Sequence, residues 1–115
     1  MILVCLVIPS CINSENKTQL IGEWVGVDWT VEGKPSNYDA KQVYFNFAKD
    51  GGYTSDFGGS KEKGTYIVRD DKLYTTPDEQ LEIMVQIRKL TKDSLVFDMN
   101  RSGTSETLTL IRKNP

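Results

Sequence analysis

Residues Gln80–Met99 read QLEIMVQIRKLTKDSLVFDM, and this stretch decides the fold. Apolar residues occupy alternate positions over 81–87 and again over 95–99, and a polar Thr91–Asp93 segment lies between the two runs. Successive side chains of a β-strand point to opposite faces, so this period of two predicts two strands joined by a turn. The chain has no window of about eleven residues that keeps the helical period of about 3.6 residues.

The same alternation recurs in the rest of the chain from Leu20 onward, with turn-forming residues between the runs. Asp50-Gly51 is a strong hairpin signal, because glycine adopts positive φ without steric cost. Short links in series favour an antiparallel up-and-down sheet, and such a sheet removes its exposed edges by closing into a barrel. We therefore predict an all-β, eight-stranded antiparallel up-and-down β-barrel. Its strands are Ile21–Val27, Lys41–Ala48, Tyr53–Asp56, Lys63–Val68, Lys72–Thr75, Gln80–Leu90, Ser94–Met99 and Ser105–Arg112.

One connection, Asp28–Ala40, is long and has the Gly, Pro, Ser and Asn content of a loop. Loops of this length in compact domains often act as lids or binding loops. The alternative is an ordinary hairpin excursion in which Trp29–Val31 extends the first strand. The sequence leaves both open.

Length and composition narrow the classes of function that this protein can have. The 115 residues suffice for one domain, and 14 Lys and Arg against 16 Asp and Glu give a net charge of −2. This balance argues against nucleic-acid binding, which needs a clustered basic excess. The chain has no His, so it lacks the commonest general base and metal ligand. No activating group lies beside a Ser, Thr or Lys nucleophile, and we predict no enzymatic activity, no cofactor and no metal site.

The first residues have the layout of an export signal. Residues 1–8 are continuously apolar, and Pro9-Ser10-Cys11 precedes an abruptly polar stretch. The sequence around Cys11 resembles a bacterial lipobox, which implies a lipid on the Cys11 sulfur and cleavage just before it. We expect a lipoprotein signal peptide at 1–10, a polar tether at 11–19, and a barrel domain at 20–115, anchored to the outer membrane of a cell envelope. The alternative is a buried first strand at 1–8, with Cys5 as a small core residue.

Two sets of residues resemble the lipocalin family. Gly22-Glu23-Trp24 opens the first predicted strand and Arg112 ends the last. In lipocalins, such a Trp sits at the closed end of the barrel under a basic residue, so the resemblance implies a closed-end pair of Trp24 and Arg112. An Arg guanidinium over an indole contributes roughly 0.5–2 kcal/mol. The segments around 47–53, 64–68 and 90–97 are similar to the short lipocalin-like domains of Gram-negative lipoproteins.

The resemblance implies a small hydrophobic or amphipathic ligand, and the alternative is a barrel filled by its own side chains that acts as a structural or protein-interaction module of the envelope. Eight-stranded barrels have room for side chains or for one small ligand. The aromatic residues could line the mouth or simply pack between strands. The candidate ligand-binding residues are Trp29, Tyr38, Tyr44, Tyr53, Phe57 and Tyr66.

Overall fold

A computed structural model describes residues 16–113. A short helical segment at 16–20 precedes nine strands, and a 3₁₀ helix at Ala40–Gln42 precedes the third of them. The strands are β1 Gly22–Val31, β2 Lys34–Pro35, β3 Val43–Phe47, β4 Gly52–Phe57, β5 Ser60–Arg69, β6 Lys72–Pro77, β7 Ile83–Leu90, β8 Ser94–Arg101 and β9 Thr104–Arg112.

The strands form one antiparallel sheet that closes on itself, because β1 pairs with β9 as well as with β3. Eight strands make the wall, and the two-residue β2 pairs only with the end of β1. Bulges occur in β1 between Gly26 and Asp28 and in β7 between Ile87 and Lys89, where an extra residue bends the strand. The predicted eight-stranded up-and-down barrel is confirmed.

The two ends of the barrel differ in their loops. At one end, residues 48–51, 70–71 and 91–93 make short turns, and the 16–20 segment packs there; we call this the closed end. At the other end, which we call the mouth, the chain makes the longer 32–42 and 78–82 connections. The core lies inside the wall, where side chains alternate with solvent-facing ones along each strand. Its fully buried side chains are Trp24, Phe47, Phe97, Leu20, Leu73, Leu95, Leu108, Leu110, Val43 and Pro77.

The sequence indicated a long loop over residues 28–40, and the loop in the structure is shorter. β1 continues through Trp29 to Val31, turns at Glu32 and Gly33, and returns as β2. Only residues 36–39 remain as a loop, and they lie beside Trp29: the Ser36 hydroxyl donates to the Trp29 carbonyl at 2.8 Å. The strand extension is therefore what the structure has, with a short loop at the mouth.

The predicted signal peptide and Cys11 lie outside the described residues. Of the stretch assigned as a tether, residues 16–19 are described and are helical. The Asn16 side-chain amide donates to the carbonyl of Asp70 at 2.6 Å, which places the start of the described chain at the closed end.

Candidate functional site: a cavity inside the barrel

A cavity of about 650 Å³ opens at the mouth. The cavity is lined by alternate, inward-facing side chains of the same strands that form the core. Most of its lining is therefore aromatic or aliphatic. Cavities of this size and lining are typical of small-molecule sites, which measure roughly 300–1,000 Å³. The apolar and aromatic lining consists of Trp29, Tyr38, Val43, Phe45, Tyr53, Phe57, Leu73, Ile83, Met84, Val85, Phe97, Met99 and Leu108.

Three aromatic rings form one side of the mouth. Tyr38 stacks on Trp29 with ring centroids 4.5 Å apart, and Phe57 meets the same indole edge-on at 6.0 Å. Deeper in the cavity, Phe45 meets Phe57 edge-on at 5.5 Å. These contacts make a continuous aromatic surface from the rim to the interior.

An arginine and a buried carboxylate accompany this surface. Glu106 is only 6% exposed, and its Oε1 accepts a hydrogen bond from the Trp29 indole N–H at 2.8 Å. Arg101 Nη1 lies 3.6 Å from the same oxygen, and its guanidinium carbon lies 5.9 Å from the Trp29 ring centroid and 5.8 Å from that of Tyr38. The Arg101 side chain is half exposed. It therefore borders the cavity entrance while it neutralises Glu106.

A second polar group lies on the opposite wall. Glu62 points inward from β5, and its Oε1 accepts a hydrogen bond from the Tyr53 hydroxyl at 3.0 Å. Burial first, and the neighbouring Glu62 second, raise the pKa of Tyr53. The phenol therefore stays protonated and remains a donor at neutral pH. Ser55 faces Glu62 in the β4–β5 register, and its buried hydroxyl has no hydrogen-bond partner within residues 16–113.

The closed end is built around one tryptophan and one arginine. Trp24 and Arg112 are direct cross-strand partners of β1 and β9, and the guanidinium carbon lies 4.2 Å from the indole centroid. Arg112 also donates three hydrogen bonds to backbone carbonyls, to Gln19 at 2.5 Å, to Lys92 at 2.7 Å and to Ile21 at 2.8 Å. One arginine thus ties the last strand to the 16–20 helical segment, to the residue before β1 and to the 91–93 turn.

The structure explains why the Gly22-Glu23-Trp24 triplet begins with glycine. Its φ is +125°, and a Cβ there would lie 2.5 Å from Arg112 Nη1. Only glycine combines that backbone angle with the space the guanidinium occupies.

A family model for the lipocalin-like domain matches residues 20–97 of the chain. The chain belongs to this family. Among solved structures, the lipocalin-like domain described here is similar to a lipocalin-like protein from Bacteroides uniformis, with a TM-score of 0.60, 17% identity, and coverage of 83% of this chain and 98% of that one. It is also similar to an uncharacterised protein from Bacteroides eggerthii, with a TM-score of 0.62, 15% identity, and coverage of 81% and 98%. A search of curated proteins gives no significant match.

In this lipocalin-like domain, the six candidate aromatic residues fall into two groups: those that line the cavity and those that do not. Trp29, Tyr38, Tyr53 and Phe57 line the cavity. Tyr44 instead lies on the outer face, where its hydroxyl donates to Glu23 at 2.5 Å; burial first, and Glu23 second, raise its pKa to about 12.

Tyr66 lies toward the closed end of the barrel. Its hydroxyl donates to the Ala48 carbonyl at 2.6 Å, and its ring meets Phe47 edge-on. Burial first, and Asp50 second, raise the pKa of Tyr66. The structure therefore gives both Tyr44 and Tyr66 hydrogen-bonded positions outside the cavity lining.

Sequence reasoning missed the charged residues of the site: Glu62, Arg101 and Glu106. For Arg101 and Glu106 the signal was present in the period of two. Glu106 shares its parity with Leu108 and Leu110, and Arg101 shares that of Phe97, so both were due to point inward. A charged residue at a core-facing position is the informative exception in such a pattern.

The described residues also limit other kinds of site. Residues 16–113 contain no group of three or more Cys, Asp or Glu side chains arranged to hold a metal ion. Within the same residues, no helix has the length and apolar character needed to cross a membrane.

Proposed function

We propose that this domain binds a small hydrophobic or amphipathic molecule in its cavity, without catalysis, while a lipid on Cys11 holds it to a cell-envelope membrane. The observation that carries the binding proposal is the cavity of about 650 Å³, open at the mouth and lined mainly by aromatic and aliphatic side chains. An apolar ligand that leaves water for such a lining gains roughly 25 cal/mol for each Å² it buries.

The two tryptophans provide the test, because one lies at the mouth and the other at the closed end. Titration with the neutral probe N-phenyl-1-naphthylamine is expected to raise probe fluorescence and to quench Trp29. In a Trp24→Phe variant, in which Trp29 is the remaining indole, the quenching is retained. In the matched Trp29→Phe variant it is largely lost. A wild-type protein that gives neither probe fluorescence nor a thermal shift would contradict ligand binding.

The anchor proposal rests on the lipobox-like sequence. An apolar run at 1–8 is followed by Pro9-Ser10-Cys11 and then by an abruptly polar stretch, which is the layout of a lipoprotein signal.

Detergent phase partitioning tests the anchor with a matched pair of cysteine variants. The wild-type protein expressed in a Gram-negative host is expected to enter the detergent phase, and Cys11→Ser is expected to stay in the aqueous phase. Cys5→Ser should behave as wild type, because Cys5 is removed with the signal peptide. Equal partitioning of Cys11→Ser and wild type would overturn the anchor.

The exposed apolar rim of the mouth favours a second function, contact with an envelope protein. Leu81 is 88% exposed, and Ile83 and Met84 are about half exposed beside it. An apolar rim of this kind is typical of interaction surfaces. Crosslinking in whole envelopes should give a defined adduct that a Leu81→Ser variant loses, whereas probe binding persists because Leu81 does not line the cavity. If Leu81→Ser keeps the adduct, the rim is not the contact.

A further inference from the structure

We propose that the ligand carries a positively charged ammonium group, and that Glu62 on the cavity wall binds it. This inference rests on the proposed ligand-binding function and adds the chemical class of the ligand. It is built from the position of Glu62, the hydrogen bonds around it, and the charge balance of the whole lining.

Glu62 is a cavity-facing carboxylate with no cationic partner. It lies between Lys61 and Lys63 in β5, and the alternation of the strand turns both lysines to the outer face. Within residues 16–113, no Lys or Arg nitrogen lies within 4.0 Å of its oxygens. Among the described residues, Tyr53 alone donates a hydrogen bond to Glu62, and it does so to Oε1. In that part of the chain the other oxygen has no donor and can accept from a ligand.

The surroundings of Glu62 also favour a ligand group that donates hydrogen bonds. A ligand anion there would meet the Glu62 charge directly. The Ser55 hydroxyl, opposite Glu62 in the β4–β5 register, is 3% exposed and has no partner within the described chain. Ser55 therefore donates no hydrogen bond to the free oxygen of Glu62, which stays available for a donor on the ligand.

The positive charge of Arg101 does not offset Glu62. Arg101 lies 3.6 Å from Glu106 on the other side of the mouth, so its charge is already balanced by that buried carboxylate. The remaining acid of the lining, Asp39, adds a further negative charge at the rim. The cavity therefore has an excess of negative charge and attracts cations.

The aromatic surface complements an ammonium ion as well as an alkyl chain. Phe45, Phe57, Tyr38 and Trp29 present ring faces and edges along the path from rim to interior. Cations are attracted to aromatic faces by the quadrupole of the ring. The apolar remainder of the ligand would occupy the space between Leu73, Val85, Phe97 and Leu108, which line the same cavity.

Displacement of N-phenyl-1-naphthylamine by three compounds with the same chain tests the inference. Decylamine is cationic at neutral pH, decanoic acid is anionic and decanol is neutral. The wild-type protein is expected to bind decylamine at least about tenfold more tightly than decanoic acid. In Glu62→Gln this preference is expected to disappear, while decanol binds as before, because the variant removes the negative charge that pairs with the ammonium group. The tenfold preference corresponds to about 1.4 kcal/mol.

Glu82→Gln is the matched control. It makes the same change of side chain and charge near the mouth, at an exposed residue outside the cavity lining, and should keep the wild-type preference. The inference is overturned if wild type prefers decanoic acid, or if Glu62→Gln keeps the preference for decylamine. Both results differ from failure of the proposed function, in which the probe itself does not bind.

Discussion

An arginine lies over a tryptophan at each end of this barrel, and the two pairs are built differently. At the closed end, Arg112 is 4.2 Å from the Trp24 centroid and donates to three backbone carbonyls, and Trp24 is completely buried. At the mouth, Arg101 is 5.9 Å from the Trp29 centroid, is half exposed, and makes one long ion pair with Glu106.

This difference separates the two ends by role. Arg112 is fixed by short hydrogen bonds that close the barrel, so its contribution is to stability. Arg101 is half exposed beside an open cavity and makes a 3.6 Å ion pair with the buried Glu106. The same residue types therefore close the barrel at one end and border the cavity at the other.

Trp24→Ala tests the closed end with the largest expected effect. Removal of a fully buried indole costs roughly 3–5 kcal/mol through lost burial and the cavity left behind. Trp29→Ala should cost less, because Trp29 already borders an open cavity. Urea unfolding of both variants measures the difference. A near-neutral Trp24→Ala would show that the closed end does not hold the barrel.

Arg112→Met and Arg101→Met compare the two arginines directly. Arg112→Met should lower the free energy of unfolding by about 2–3 kcal/mol, because three carbonyls lose a charged donor. Arg101→Met should cost less than Arg112→Met, because Arg101 is half exposed with one ion pair at 3.6 Å, and Glu106 keeps its hydrogen bond from the Trp29 indole. Chemical denaturation of the two variants measures the loss in the free energy of unfolding for each. Equal losses would mean that the mouth is as structural as the closed end.

The strands were predictable where the inner face is apolar, and less so where it is not. The predicted strand at Lys63–Val68 begins at Ser60 in the structure, and the residues missed include Glu62. Their inward side chains are polar because they line the cavity, so the alternation of apolar and polar residues fails there. The pattern was weakest at the residues that make the candidate site.

The closed end shows the opposite case. Gly22 and Arg112 lie ninety positions apart in the chain, yet barrel closure pairs β1 with β9 and places the guanidinium against the glycine. Family resemblance implied a Trp24–Arg112 pair before the structure gave its distance. The cavity could not be predicted, because its volume depends on how the side chains fill the barrel, which periodicity alone does not determine.

Gly22→Ala should have a smaller effect on the closed end than loss of Arg112. The added Cβ would be 2.5 Å from Arg112 Nη1, and the φ of +125° is strained for alanine. We expect about 1–2 kcal/mol of destabilisation. Gly103→Ala is the matched control at the mouth: its φ is +85°, but nothing lies within 4 Å of the new Cβ. Thermal melts should rank Gly22→Ala as the more damaging. The reverse order would remove the steric role of Arg112.

Alkaline pH gives the smallest and most general test, because it weakens both ends together. The pKa values of Tyr53 at the cavity wall and Tyr66 toward the closed end are raised above 10.0, each mainly by burial. A raised phenol pKa means that the folded state favours the neutral form. This contribution to stability is complete below pH 10 and is lost as pH rises through the folded-state pKa.

Denaturant melts from pH 9 to pH 12 should therefore show a falling free energy of unfolding at the alkaline end, with a shallower fall in Tyr53→Phe and in Tyr66→Phe. The Tyr53 variant also removes the donor to Glu62, so it should change decylamine binding, whereas Tyr66→Phe should leave that binding as in wild type. If both variants changed ligand affinity equally, the cavity and the closed end would be coupled rather than separate, because Tyr66 does not line the cavity.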